Sequence, residues 1–167
     1  MSLRELLENA LKEREWDQEV IHDDDDNSDY VNVQFTIDNQ NYLLQIIADD
    51  EMETLRVLLF SNIKIPTGRL KEASQVINWF NYRLNYGNFD LEPDGKVYYR
   101  WGLALRDAKP ATTQIHILIS TAADAFDETH VSAIASCAFT KQSAEDIIKD
   151  FEGANETEEE SQSPAEL

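Results

Sequence analysis

The sequence has one cysteine, few basic residues and no long apolar run, and each shortage excludes a class of protein. Because Cys137 is the only cysteine, the chain cannot form an internal disulfide, which favours a reducing compartment. There is no stretch of about 18 apolar residues, so the sequence predicts no membrane span. The first 16 residues are acidic and amphipathic, unlike a secretory signal. We therefore expect a soluble cytoplasmic protein.

The shortage of positive charge is uneven along the chain. Fourteen lysines and arginines oppose 33 aspartates and glutamates, which gives a net charge of −19. Residues 1–29 carry 11 acidic and three basic side chains, and residues 152–167 carry six acidic side chains and no basic one. Phosphate groups would repel such a chain, so binding to nucleic acid or to an anionic membrane is disfavoured.

Helical and strand periodicities divide the first half of the chain. Residues 2–16 show a helical apolar stripe, with Ser2 and Glu5 at the spacing of a capping box. Residues 22–29 are mostly aspartate and are predicted to form a mobile acidic linker. Residues 30–65 contain three predicted strands, and the short links between them imply an antiparallel meander.

The second and third predicted strands are apolar on both faces. Leu43 and Ile47 share one side of the second strand, and Leu58 and Phe60 lie on the third. A second apolar face requires a cover, which would be a helix or another subunit.

The second half of the chain predicts a helix, a hairpin and further helices. The helix covers residues 69–86 and ends at Gly87, and a turn at 93–95 joins strands at 88–91 and 96–106. Helical patterns follow at 112–127, 129–139 and 143–152, and the acidic segment 153–167 is predicted to be disordered. We therefore expect one α+β domain over residues 1–152, with an antiparallel five-stranded sheet packed by helices in the order α-β-β-β-α-β-β-α.

The stretch from Asn81 to Arg100 reads NYRLNYGNFDLEPDGKVYYR, and Ile65-Pro66 and a helix rich in lysine, glutamate and alanine precede it. A helix that contains asparagine, a glycine and a hairpin with an Asp-Gly turn follow one another in it. This pattern, with the element order, resembles the YbjN family of bacterial proteins, whose members share the fold of type III secretion chaperones. The resemblance covers roughly residues 1–152. It implies a homodimeric interaction module without enzymatic activity, in a family often labelled a sensory-transduction regulator.

No set of residues has the spacing of a metal or catalytic site. The acidic run 23–29 fails the EF-hand pattern, because Ser28 and Gln34 stand where a glycine and a bidentate glutamate are required. The three histidines and Cys137 lack the local pairing of zinc ligands, and Cys137 is expected to be buried and inert. The carboxylates between residues 90 and 94 suit an edge strand and turn better than glycosidic chemistry. We predict no catalytic residue, no metal and no cofactor.

Aromatic side chains away from the apolar stripes are the best candidates for an interaction surface. Trp79 and Tyr82 lie off the stripe of their helix, and Tyr98 lies opposite the Tyr99/Trp101 face of its strand. Such residues are favoured at interfaces, although they also cover the edges of cores. With the second apolar face, the predicted interaction surface comprises Leu43, Ile47, Leu58, Phe60, Trp79, Tyr82 and Tyr98.

Two classes of function remain open at this point. The first is a non-enzymatic, homodimeric, chaperone-like module, in which a partner subunit or a client segment covers the second apolar face. An extended peptide would add to the sheet or lie across it. The second is a small-molecule-responsive regulator that binds its ligand between helix 69–86 and the sheet.

Overall fold

A computed structural model describes residues 1–37, 40–106 and 111–161. Within these residues the helices are α1 (Leu3–Glu13), α2 (Leu70–Asn81), α3 (Thr112–Ala125), α4 (Glu128–Phe139) and α5 (Ala144–Ser161). The strands are β1 (Ile21–Asp23), β2 (Ser28–Ile37), β3 (Gln40–Asp49), β4 (Thr54–Lys64), β5 (Asn88–Leu91) and β6 (Lys96–Ala104). None of the helices in these ranges is long and apolar enough to cross a bilayer.

All six strands belong to one antiparallel sheet, in the order β1-β2-β3-β4-β6-β5. The predicted antiparallel sheet packed by helices is confirmed, but the predicted number of five strands is wrong. The additional strand, β1, lies in the segment predicted to be a linker. Asp23 accepts hydrogen bonds from the backbone N–H groups of Asp25 and Asp26, at 3.0 and 3.4 Å, and Asn27 has a φ of 48°. Asp and Asn suit such turns, so the acidic run reverses the chain.

The helices cover one face of the sheet. The first of them, α1, begins at the predicted capping box: Ser2 Oγ accepts from the Glu5 N–H at 3.1 Å, and the Ser2 N–H donates to Glu5 at 2.9 Å. Arg4 ties α1 to β2 through a 2.7 Å contact with Asp29. Alternate side chains of the central strands point towards the helices and are at most 3% exposed: Val31, Val33, Leu44, Ile46, Leu55, Val57, Leu59, Val97 and Tyr99.

Helix α2 ends earlier than its sequence pattern predicts. It stops at Asn81 rather than at residue 86. The side chain of Asn81 is bonded to the backbone of Phe89 in β5, which ties the last residue of α2 to the sheet, and one further helical hydrogen bond runs from the Leu84 N–H to the Phe80 carbonyl. Gly87 has the expected positive φ of 63°, but it lies directly before β5 and does not end the helix.

Helix α5 is longer than predicted. Ser143 caps it as expected, since its hydroxyl accepts from the Asp146 N–H at 3.1 Å. The backbone then stays helical to Ser161, nine residues beyond the predicted end at 152. Residues 153–161 contain four glutamates and an alanine, which are good helix formers. Residues 162–167 of the predicted disordered tail lie outside the described residues, and the division into domain and tail stays a prediction.

Candidate functional site

The face of the sheet that points away from the helices carries most of the predicted interaction residues. Three of its cross-strand rows, which lie side by side at the centre, together form what we call the outer face. The rows are Gln34-Leu43-Phe60-Tyr98-Asp90, Asn32-Gln45-Leu58-Arg100-Asn88 and Ile21-Tyr30-Ile47-Arg56-Gly102. None of the described helices packs on these rows, whereas the opposite face is the buried one.

The outer face brings together five of the seven predicted residues. Leu43 lies directly opposite Phe60, and Phe60 lies opposite Tyr98. The rings of Phe60 and Tyr98 are in contact, with centroids 5.1 Å apart. Leu58 lies in the second row and Ile47 in the third, so Leu58 is a diagonal neighbour of both Leu43 and Ile47, close enough for large side chains to touch. The result is a continuous apolar patch over three strands, in which Leu43 is 37% exposed.

Trp79 and Tyr82 are not part of the outer face, because α2 lies in the helical layer. Trp79 packs against Phe151 of α5, with ring centroids 5.0 Å apart. The guanidinium of Arg83 lies 3.5 Å from the centre of the Trp79 ring. Tyr82 follows the end of α2 and is 88% exposed. The predicted surface therefore divides between two regions of the molecule.

The outer face has very little negative charge for a chain of net charge −19. Within the three rows Asp90 is the one carboxylate, and it pairs with Arg100 at 3.1 Å and accepts from the Asn88 amide at 3.0 Å. Asp23 and Asp49 lie on the same side of the sheet in the next row, beyond the outer face as defined here. Arg56 is exposed in the third row. Burial, together with the nearby Asp90 carboxylate, raises the pKa of Tyr98. The face is therefore a nearly neutral area on an acidic molecule.

The edge of the sheet at β5 is closed by a side chain. The amide of Asn81 donates to the Phe89 carbonyl at 2.8 Å and accepts from the Phe89 N–H at 2.7 Å. These two backbone groups point outwards and would otherwise be free to pair with an added strand. At the other edge, β1 has only three residues and pairs with Ser28–Tyr30, so no described strand pairs with the outer side of residues 31–37 of β2. The geometry therefore disfavours addition of a peptide strand at β5 and leaves the edge of β2 open to one.

Gly87 and Tyr99 belong to the same motif, Asn81 to Arg100, and also have structural roles in it. The hydroxyl of Tyr99 donates to the Tyr86 carbonyl at 2.9 Å, and burial raises its pKa to about 12. A Cβ at Gly87 would overlap the Tyr99 ring and lie 2.7 Å from the Arg100 carbonyl oxygen. Sequence reasoning found the motif but missed the role of Asn81. The signal available in the sequence was that Asn81 stands eight residues before Phe89, an apolar residue of a predicted strand.

A groove extends the outer face at the irregular end of β4. The pairing of β4 with β6 is interrupted between Phe60 and Lys64, and the resulting groove has a volume of about 570 Å³. Lys64 and Lys96 line it and share the carboxylate of Asp94, at 3.4 and 3.6 Å. The hydrogen bond from the Lys96 N–H and the two ammonium groups hold the pKa of Asp94 below its usual value. The ammonium groups are thus already paired.

Cys137 and His130, whose side chains are of types that often react or bind metals, are packed within the fold. Cys137 is 1% exposed, as predicted, and burial raises the pKa of its thiol to about 11. His130 contacts Asp127 at 2.6 Å and lies against the rings of Phe80 and Phe89. Among residues 1–37, 40–106 and 111–161 no group of three or more His, Cys, Asp or Glu side chains is placed to hold a metal ion.

The space between α2 and the sheet, where a ligand was the alternative prediction, is filled by core side chains. Val76 and Phe80 of α2 are at most 1% exposed, and so is Phe89 of β5. The rings of Phe80 and Phe89 are 6.2 Å apart, and Phe126, directly after α3, packs on Phe89 at 5.1 Å. This packing leaves the predicted ligand position occupied by the protein itself.

Comparisons with known proteins give one family match. Residues 3–129 match the family model YbjN, described as "Putative bacterial sensory transduction regulator". No curated protein matches the chain. A chain from the solved HopA1–SchA chaperone–effector complex is similar, with 15% identity, a TM-score of 0.47, and coverage of 73% of this chain and 88% of that one. The crystal structure of YbjN, "a putative transcription regulator from E. coli", is similar with 11% identity, a TM-score of 0.45, and coverage of 78% and 87%. The family match ends at the start of α4, earlier than residue 152.

Proposed function

This chain belongs to the YbjN family, as its sequence motif indicated, and on that premise we propose that it is a non-enzymatic, chaperone-like protein-interaction module that forms a homodimer through the outer face. The observation that carries the proposal is the contiguous apolar patch centred on Leu43, Phe60 and Leu58. Large exposed apolar patches mark interaction sites, since water contact with them is unfavourable.

Charge is the reason for choosing a second copy as the occupant. Two chains that each carry −19 repel each other over most of their surfaces. On the outer face, however, contact would bury one carboxylate per copy, and that carboxylate already has Arg100 as its partner. An unpaired buried charge is costly, whereas a paired one with further hydrogen bonds is tolerated. Asp90 meets that condition in part: Asn88 donates to its Oδ1, whereas its Oδ2 lies 3.1 Å from the Arg100 guanidinium but accepts no hydrogen bond from a described residue.

The geometry suits face-to-face packing of two sheets. Sheets that pack in this way lie about 10 Å apart and interdigitate their side chains. Closure of the β5 edge by Asn81 disfavours edge-to-edge pairing through that strand. Aromatic residues such as Phe60 and Tyr98 are enriched in the centres of such interfaces.

The test is Leu58→Asp, followed by sedimentation equilibrium of the full chain. We expect the wild type to be a dimer and the variant to be a folded monomer, because the new carboxylate would be buried at the centre of the patch. Ile117→Asp is the matched control, since Ile117 of α3 is 46% exposed and lies outside the outer face. It should stay dimeric. A dimeric, folded Leu58→Asp variant would count against this face, and a monomeric wild type would count against the dimer.

The absence of enzymatic activity and a cytoplasmic location belong to the same proposal. At neutral pH a thiol with a pKa of about 11 stays protonated, so Cys137 is a poor nucleophile. A free cysteine fits a reducing compartment. The ligand-regulator alternative has less support, because core side chains fill the space between α2 and the sheet. A screen of metabolites for raised melting temperature would reopen it, since a specific ligand stabilises the folded state.

A further inference from the structure

The segment of residues 16–20, which we call the strap, lies between α1 and β1 and is anchored beside β2 at both of its ends. At the first end the ring of Trp16 meets that of Phe35 in β2 edge-on, with centroids 6.3 Å apart. At the other end Val20 is 4% exposed, and Arg4 of α1 donates to the Val20 carbonyl at 2.9 Å. The strap therefore follows the edge of β2 that is open beyond β1.

Both ends of the strap keep the register of β1. The outermost residue pair between β1 and β2 joins Ile21 to Tyr30. Trp16 and Phe35 are each five residues farther along their segments, so Trp16 contacts the residue that a straight continuation of β1 would place opposite it. The same continuation pairs Val20 with Val31, Glu19 with Asn32, Gln18 with Val33 and Asp17 with Gln34.

The middle of the strap is not bonded to the sheet. Asp17, Gln18 and Glu19 are exposed, and within the described part of the chain they make no hydrogen bond or ion pair. No backbone hydrogen bond between described residues joins residues 17–20 to β2. The backbone groups on this side of residues 31–34 therefore have no partner among the described residues, although a strand pairs such groups wherever a neighbour is available.

The strap has apolar side chains where the helical side of the sheet needs them. In the continued register Trp16 and Val20 lie on that side, next to Phe35 and Val31. Val20 is already buried and Trp16 is half-buried, so pairing of the middle would leave both anchors in their present surroundings. Gln18, between them, is the one polar residue of the strap on that side. The register thus agrees with the two-residue alternation of a strand.

The strap also supplies the charge that the edge of β2 lacks. Residues 31–37 contain no charged residue, no proline and no glycine, although charged residues and proline commonly protect an edge strand from pairing with other chains. Pairing of the strap would place Asp17 and Glu19 on the outer side, next to the uncharged amides of Gln34 and Asn32. The new edge of the sheet would then be acidic, and copies of a chain of net charge −19 would repel each other there.

We propose that the strap closes on β2 as a continuation of β1, so that residues 17–20 lengthen this strand from three residues to seven, and that closing controls whether β2 presents a free edge. In the structure the strap is open and residues 31–34 can accept a strand, whereas in the closed form the strap is that strand. Because both anchors are already in place, only a short loop has to be ordered, which costs little chain entropy. The pairing uses backbone groups at the edge of the sheet, so it does not depend on the proposed dimer of the outer face.

The experiment measures disulfide formation between two cysteines placed in the full chain. Glu19→Cys is combined with Asn32→Cys, its partner in the closed strap. Residues directly opposite each other in antiparallel strands have Cα atoms about 4.5–5.5 Å apart, which a disulfide can bridge. The matched control combines Glu19→Cys with Gln34→Cys, which lies on the same face but two residues out of register, about 7–8 Å away. We expect oxidised glutathione to join the first pair at least tenfold faster than the second.

Thiol alkylation and a non-reducing gel separate the outcomes. A disulfide within one chain runs as a monomer, so a disulfide between copies is not mistaken for closing, whatever the state of the outer-face dimer. Cys137 stays reduced in both variants because it is 1% exposed. Equal rates for the two cysteine pairs, or a faster control pair, would overturn the proposal. The outer-face dimer is tested by sedimentation, so the two proposals fail separately.

Hydrogen exchange followed by NMR tests the pairing without introduced cysteines. In an antiparallel pair alternate N–H groups face the partner strand, so closing slows the exchange of alternate amides among residues 31–34. The double substitution Gln18→Pro and Glu19→Pro removes two successive N–H groups, one of which faces β2 in the closed form, and both positions are exposed. We expect the affected amides of residues 31–34 to exchange at least fivefold faster in this variant, while the amides of β4 keep their wild-type rates. Exchange of residues 31–34 that the two prolines leave unchanged would contradict the closing of the strap.

Discussion

Replacing Asn81 by alanine tests whether one side chain closes the β5 edge and ties α2 to it. The substitution removes two hydrogen bonds, at 2.8 and 2.7 Å, and leaves the N–H and C=O of Phe89 without their partner. Phe89 is 1% exposed, so its backbone groups gain little compensation from water. Leaving one buried polar group unsatisfied costs about 1–3 kcal/mol. For two groups with partial relaxation we expect a loss of about 2–4 kcal/mol.

The assay is urea unfolding followed by far-ultraviolet circular dichroism and by tryptophan fluorescence, with coincident transitions as the check for two-state behaviour. The expected loss is large beside the stability of about 5–15 kcal/mol typical of a domain. Asn78→Ala is the matched control, because Asn78 is exposed on the same helix. It should be neutral or slightly stabilising, since alanine is the better helix former. The reasoning is refuted if Asn81→Ala is as stable as Asn78→Ala.

Two further perturbations address the hairpin and α5. Gly87→Ala should destabilise the protein by about 1–3 kcal/mol or more, because the φ of Gly87 is 63° and an added Cβ would lie 2.7 Å from the Arg100 carbonyl oxygen. The control is Gly68→Ala, which should be neutral in the same urea titration, because no atom lies within 4 Å of its added Cβ. Hydrogen bonds from Ser143 hold the pKa of Asp146 below its ordinary value of 3.8, so this carboxylate stabilises α5 above that pH and ceases to do so as pH falls through its folded-state pKa. Ser143→Ala should reduce this loss of stability on the acid side, and an unchanged pH profile of stability would contradict the assignment.

The sequence by itself determined which residues share a face. Alternation of side chains in a strand has a period of two, so Leu43 and Ile47 had to share one side of β3, and Leu58 and Phe60 one side of β4. The capping box at Ser2, the Asp-Gly turn and the family motif are equally local, because each depends on residues close together in the chain. These signals were enough to predict an antiparallel sheet, its helices and a second apolar face.

Only the tertiary structure decided where those faces meet and which are covered. Tyr98 joins the patch because β6 lies between β4 and β5, an order that no local pattern specifies. Pairing with β2 makes a strand of Ile21–Asp23 in a segment whose composition indicated a linker. Asn81 ties α2 to β5 because Phe89 offers it two backbone partners, and Trp79 is covered because α5 returns across the helical layer. Each of these outcomes depends on contacts between residues far apart in the chain, whereas sequence periodicity reports only on neighbours.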